Sequence, residues 1–129
     1  MSLEGSCHCG AAGWHMITAP DSALQCNCTV CRRYAALWAY GDQGRDVTLF
    51  GDTASYQPGE GLEFHRCTHC GCLIFWRAIE AGEQGYHRVG LNLRLAEPAL
   101  IADLRLDYFD GLTHWVRNGN TGKTLADIL

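Results

Sequence analysis

Apolar positions along the chain come in short runs broken by glycine-bearing turns. AAGWHMIT (11–18) alternates loosely between apolar and polar residues, and ALQCNC (23–28) reads as a second strand after the turn at Pro20–Asp21. ALWAY (36–40) and DVTLF (46–50) are rich in aromatic and branched residues, with a turn expected from Gly41 to Arg45. LEFHRC (62–67), CLIFWRAI (72–79) and YHRVGLNLRL (86–95) follow, separated by QPGEG and EAGEQG. This pattern predicts a mainly β fold with little helix, in one domain over residues 1–129. Helical signal is confined to one turn at Cys31 to Ala35 and to EPALIADLR (97–105), beginning near Pro98. The second stretch reads equally well as a loop leading into a strand at LRLDYF.

Composition narrows the function classes. Apolar residues make up 47% of the 129, enough for one buried core. The net charge of −4 and the lack of a basic stripe argue against a nucleic-acid partner. No apolar run approaches the ~20 residues of a membrane helix. The start, MSLEGSCHCG, has neither the basic nor the apolar region of a signal peptide. A cytoplasmic setting is therefore expected, in which eight cysteines serve metal binding or catalysis in preference to disulfides.

The cysteines fall into three groups: CHCG (7–10), CNCTVC (26–31) and CTHCGC (67–72). On an extended strand residues i and i+2 share a face, so CxC aims two thiolates at one ion. In CxxC the chain turns between the ligands, and a glycine after the second cysteine can take positive φ and free backbone N–H groups to face sulfur. Gly10 and Gly71 occupy that position in the outer groups, whereas Arg32 follows Cys31. The outer groups are thus expected to share one structural zinc on Cys7, Cys9, Cys67 and Cys70. For Cys26, Cys28 and Cys31 two readings stay open. Either three thiolates hold a second zinc with a free fourth position, as catalytic zinc requires, or Cys72 or a histidine closes the site. Strand alternation turns Cys72 away from the site built by the Cys70 turn.

The order CHCG, CxCxxCRR, CxxCGC resembles the glutathione-dependent formaldehyde-activating enzyme family, which also includes centromere protein V. ALWAY, VGLNLRL (89–95) and YFDGLTHW (108–115) are similar to family segments at corresponding places. The resemblance implies a zinc-dependent β-tent fold with two metal sites, Cys7, Cys9, Cys67 and Cys70 matching the structural ligands. Cys26, Cys28 and Cys31 match the catalytic ones. It implies addition of a glutathione thiol to formaldehyde, a carbon–sulfur lyase reaction run in reverse, with a small-molecule thiol and aldehyde as partners. Many relatives carry a glycine shortly after CxCxxC, where this chain has Ala35-Ala36; a positive φ there would strain alanine.

Arg32 and Arg33, directly after Cys31, are candidates to pair with a glutathione carboxylate. Asn92 and Arg94 alternate on one face of their expected strand and are candidates to face a pocket together. Trp38, Tyr40, Phe75 and Trp76 read most simply as core. The competing class is a non-catalytic zinc-stabilised β module with both metal sites structural.

Overall fold

The computed structural model describes all 129 residues, Met1–Leu129. Eleven strands form one branched sheet: β1 (Leu3–Ser6), β2 (Gly13–Met16), β3 (Ser22–Cys26), β4 (Leu37–Gln43), β5 (Val47–Phe50), β6 (Thr53–Tyr56), β7 (Leu62–Cys67), β8 (Leu73–Ala78), β9 (His87–Asn92), β10 (Arg105–Asp110) and β11 (Val116–Thr124). Helix is limited to the single turns α1 (Cys31–Tyr34) and α2 (Pro98–Ile101) and two 3-10 turns, Leu93–Leu95 and Leu125–Asp127. Pro98 opens α2, where its fixed φ suits a first helical position. None of these helices is long and apolar enough to cross a membrane.

The main path runs β1-β2-β5-β4-β9-β8-β7-β6. The branch leaves from β4: Trp38 pairs with Asn92 of β9 on one side and with Leu24 of β3 on the other. β3 then runs parallel to β10, which forms a hairpin with β11. Period-two alternation along β4 feeds two cores. Leu37 and Ala39 face the larger, with Trp14, Ile74 and Leu91, while Ala36 and Trp38 face a smaller one with Leu24, Phe64 and Leu73. Trp14 is fully buried and its indole N–H donates to the Asn92 carbonyl at 3.2 Å.

Three strands are not expected from the sequence: β1 alternates but over only four residues, and β6 and β11 carry no apolar alternation. In β11 nearly every residue is exposed, and the strand is held by its backbone ladder to β10 and by one ion pair. That pair joins Arg117 to Asp107 at 2.8 Å; Arg105 grips the other oxygen of the same carboxylate at 2.9 Å. Asp107 is buried, and the Arg105 guanidinium, then Arg117, hold its carboxyl down at about 2.

Two expected boundaries differ. Gly41 lies inside β4, not in the following turn; a Cβ there would meet Val47 at 2.6 Å, so the strand continues past it only as glycine. The strand expected over 86–95 stops at Asn92, whose side chain accepts the Arg94 N–H at 3.2 Å and starts a 3-10 turn. Asn92 consequently points inward and Arg94 outward, so the two do not share a face.

Ala35 caps α1 in the left-handed region, at φ 53° and ψ 32°, and its carbonyl accepts the Arg94 Nε–H at 2.6 Å. The strain foreseen for alanine after the middle cysteines is thus present, worth about 1–2 kcal/mol. Ala35→Gly should raise stability by about 1 kcal/mol once the added freedom of the unfolded chain is offset, moving Tm up by about 3–6 °C in a thermal melt. An unchanged or lower Tm would contradict this account of the turn.

Candidate metal centres and the adjoining cleft

Cys7 follows β1 and Cys67 ends β7, and the chain turns after each onto a glycine, Gly10 and Gly71, both at φ 81°. These matched turns bring Cys7, Cys9, Cys67 and Cys70 together, with all four sulfurs within 4.8 Å of one another. Cys9 Sγ lies 3.6 Å from both Cys7 Sγ and Cys67 Sγ. A tetrahedron of sulfurs with metal bonds of ~2.3 Å has edges of about 3.8 Å, so the donor set fits a four-coordinate zinc-like ion. Backbone N–H groups support it: His69 and Cys70 each donate to Cys67 Sγ at 3.4 Å, and Ala12 donates to Cys7 Sγ at 3.4 Å. As free thiols, Cys70 and Cys9 are driven in opposite directions. Backbone N–H groups of Cys72 and Cys9 draw Cys70 down to about 5; the Ala11 N–H lowers Cys9, but burial and the neighbouring thiols outweigh it and push it up to about 12.

The middle group is more local. Cys26 ends β3, Cys28 sits in the following turn and Cys31 starts α1. Their sulfurs also lie within 4.8 Å of one another, with Cys28 N–H donating to Cys26 Sγ at 3.5 Å and Cys31 N–H to Cys28 Sγ at 3.3 Å. Burial pushes Cys31 up most, and Cys28 and Cys26 add to it; Cys28 is drawn down by the N–H of Cys31 against its own burial. The two clusters can hold metal ions, and their all-thiolate character suits zinc.

Cys72 belongs with the first cluster. It packs against the larger core together with Cys70, and its thiol is pushed up because burial and the Cys70 and Cys7 sulfurs outweigh the lowering by the His8 backbone. Expected to face away from the Cys70 turn, it lies beside it, because the chain straightens into β8 only at Leu73 and alternation does not yet apply at Cys72. No fourth protein thiol joins Cys26, Cys28 and Cys31.

The turn between β10 and β11 lies on this second cluster. Asn27, between two of the cysteines, accepts the Gly111 and Leu112 N–H groups at 2.9 and 3.1 Å and donates to Asp110 at 3.2 Å. Asp110 in turn caps the N–H groups of Thr113 and His114. A Cβ at position 111 would sit 2.9 Å from Cys28 Cβ and 3.1 Å from Cys26 Sγ, so only glycine lets the turn approach this closely. Asn27 and Gly111 are site residues that cysteine counting does not find; the Asp-Gly pair in YFDGLTHW is the signal that could have found them.

The second cluster opens on a cleft of about 510 Å³ walled by Trp38, Tyr40, Phe64, Trp76, Phe109 and Trp115. Trp76 pairs with Gly90 across the sheet, where any Cβ would strike its indole. Trp115 meets Phe109 edge-on at 5.1 Å and holds φ 53°, a left-handed conformation for a bulky residue. No charged side chain lines the cleft. Of the aromatic residues expected in the core, Phe75 and Trp38 are buried, while Tyr40 and Trp76 are half-buried wall residues.

The remaining sequence candidates fall elsewhere. Arg33 borders a neighbouring groove with Tyr34 and Tyr56, sharing Val30 and Pro58 with the cleft, and donates to the Thr29 carbonyl at 2.7 Å. Arg32 is exposed and lines neither. Asn92 is buried, its amide donating to the Leu73 carbonyl at 2.9 Å, and Arg94 braces the Ala35 turn. His65 is stacked on Phe75, and its two ring nitrogens are engaged by Thr53 and Glu63.

Comparison with known proteins agrees with this arrangement. A crystal structure of a Rhodobacter sphaeroides protein superposes with a TM-score of 0.60 at 22% identity, covering 81% of this chain and 99% of that one, a likeness of fold alone. A Halomonas elongata protein named for a formaldehyde-activating enzyme is 33% identical over 58% of this chain; the match spans only 55% of that relative's length. The family described as glutathione-dependent formaldehyde-activating enzyme matches residues 2–98, a span that includes all eight cysteines. With both thiol clusters inside that match, the chain belongs to the glutathione-dependent formaldehyde-activating enzyme family.

Proposed function

We propose that the protein is a zinc-dependent enzyme of the carbon–sulfur lyase type, working in the cytoplasm, that adds a thiol such as glutathione to a small aldehyde. The observation that carries this reading is the second cluster: three thiols, no fourth protein sulfur, and a cleft directly against them. Cys7, Cys9, Cys67 and Cys70 would hold a structural zinc, and Cys26, Cys28 and Cys31 the catalytic one. Zinc bound there would supply a position that keeps an incoming thiol deprotonated near pH 7.

The chain's own groups serve the other reactant. In the reaction the thiol sulfur bonds to the carbonyl carbon while the π pair of the C=O moves to oxygen. That oxygen takes up one proton and the thiol gives up one, so no oxidant or reductant is needed. The indole N–H of Trp38 is buried, lines the cleft close to the Cys31 sulfur, and makes no well-directed hydrogen bond. An unpaired buried donor costs about 1–3 kcal/mol, and an aldehyde oxygen gaining charge would satisfy it. Tyr40 is pushed well above the ordinary phenol range by burial and then by the Cys31 and Cys26 sulfurs. Its hydroxyl therefore stays protonated and can serve as a second donor. Arg33, in the adjoining groove, is placed for a carboxylate on the thiol's far end.

Metal content gives the first check. Mass spectrometry of the intact protein should find two zinc ions, Cys72→Ser should keep both, and Cys28→Ala should keep one and stay folded. An ion lost from Cys72→Ser, with no further ion lost when Cys28→Ala is added to the same variant, would reinstate a four-thiolate second site. Exchange between free and hydroxymethylated glutathione, followed by NMR, tests the reaction itself. The zinc-loaded protein should accelerate it, Cys28→Ala should abolish the gain, and Trp38→Phe should reduce it by about a hundredfold, the effect typical of a lost oxyanion donor. No acceleration from fully loaded protein would leave the structural zinc module as the surviving reading.

A further inference from the structure

Formaldehyde is one carbon and one oxygen, yet the cleft beside Cys26, Cys28 and Cys31 holds about 510 Å³, within the ~300–1,000 Å³ of sites that take far larger ligands. Away from the three cysteines its walls carry six aromatic rings and no acidic or basic side chain. A glutathione-like thiol, with its carboxylates and ammonium, has nothing to pair with there. The flanking cations lie outside the lining: Arg33 borders the neighbouring groove, reached past Val30 and Pro58, and Arg88 stands over the Tyr40 ring at 5.8 Å. The two reactants are thereby sorted: the polar body of the thiol leaves towards Arg33, and the aromatic cleft is left for the substituent on the aldehyde carbon.

The rim points the same way. Leu112, Trp115 and Val116 are all large apolar residues exposed around the β10–β11 turn, Trp115 at 73%. The Asn27 and Asp110 hydrogen bonds fix that turn over the cluster. Gly59 and Gly61 form part of the opposite wall, and a Cβ at either would meet nothing within 4 Å, so the wall stands back from the centre. Within this apolar surface the unpartnered N–H of Trp38 is a polar point suited to one oxygen.

We infer that the carbonyl substrate is a hydrophobic aldehyde, aromatic or of several carbons, whose apolar group fills this cleft while its oxygen meets the Trp38 N–H. This rests on the proposed thiol–aldehyde reading, and the reaction balances as before: one carbon–sulfur bond forms, one C=O becomes C–OH, and protons are exchanged with water.

The test separates binding from chemistry. Three of the four tryptophans, Trp38, Trp76 and Trp115, line the cleft, so intrinsic fluorescence reports its occupancy. Zinc-loaded protein is titrated with unreactive primary alcohols of rising length and with benzyl alcohol, and adduct formation is timed by NMR with formaldehyde, hexanal and benzaldehyde. Affinity is expected to rise about fourfold per methylene until the cleft is filled, as apolar burial requires. Trp115→Ala, at an exposed position where folding can be verified by Tm, should weaken benzyl alcohol binding about tenfold. The loaded protein should turn over hexanal and benzaldehyde with a higher kcat/KM than formaldehyde. Flat affinity along the series, or formaldehyde turned over best, overturns the inference and leaves the thiol–aldehyde reading standing. A steep series without acceleration of any aldehyde removes that reading and retains the cleft as a site for the same apolar group.

Discussion

Four sulfurs within 4.8 Å of one another cannot all carry charge unless a cation sits among them. The free thiols show this conflict: Cys70 is driven down to about 5 while Cys9 is driven up to about 12. The position of the cluster makes its resolution a matter of fold. Cys7 follows the strand at one end of the main path, and Cys67 ends β7, next to the strand at the other end. An ion held by both would staple the long sheet across its two ends, over a separation of 58 residues between Cys9 and Cys67. The ordering entropy of so long a loop would be offset by metal binding that the unfolded chain cannot match. With the ends so tied, β4 and its branch to β3 and β10 would be held at the centre, and the second cluster sits where that branch ends.

The second cluster has the opposite character. Its three cysteines span residues 26 to 31, so an ion there would close only a short loop and add little to the fold. What holds it is a set of polar contacts from a distant hairpin: Asn27 with Asp110 and Gly111. That hairpin lies beyond the residues 2–98 that match the family, and it supplies Phe109 and Trp115 to the cleft. The cleft is thus walled from both stretches of chain: Trp38, Tyr40, Phe64 and Trp76 lie within the family match, Phe109 and Trp115 beyond it.

Legibility in the sequence follows the same division. Local signals read well: β7 falls on LEFHRC, α1 on the residues after Cys31, α2 on Pro98, and the outer four cysteines on one cluster. What could not be read is what tertiary contacts impose. β11 has no apolar alternation, because its pairing rests on backbone bonds and the buried Asp107 carboxylate. Asn92 and Arg94 keep an alternating spacing, but the Asn92 side chain bonds the following backbone and turns the chain, so one becomes buried structure and the other a brace for Ala35. Cys72 misled for a related reason, since alternation is a property of strands and the strand begins one residue later.

Only two non-glycine residues hold positive φ, and both flank the second cluster: Ala35 closes the helical turn begun by Cys31, and Trp115 stands at the cleft rim. A left-handed alanine costs about 1–2 kcal/mol, and a bulky tryptophan has no less reason to avoid that region. Nothing in the packing of an exposed loop demands such a conformation at Trp115; Gly111, Gly119 and Gly122 stand nearby in the same hairpin as ready alternatives for bending the chain. The strained geometry does one visible thing, which is to set the indole edge-on against Phe109 above the sulfurs. Combined with an unbonded Trp38 N–H below, the cleft carries two local costs that a purely structural zinc module would have no reason to retain. The balance of these costs favours a ligand, one that covers apolar rings and ends in a single oxygen.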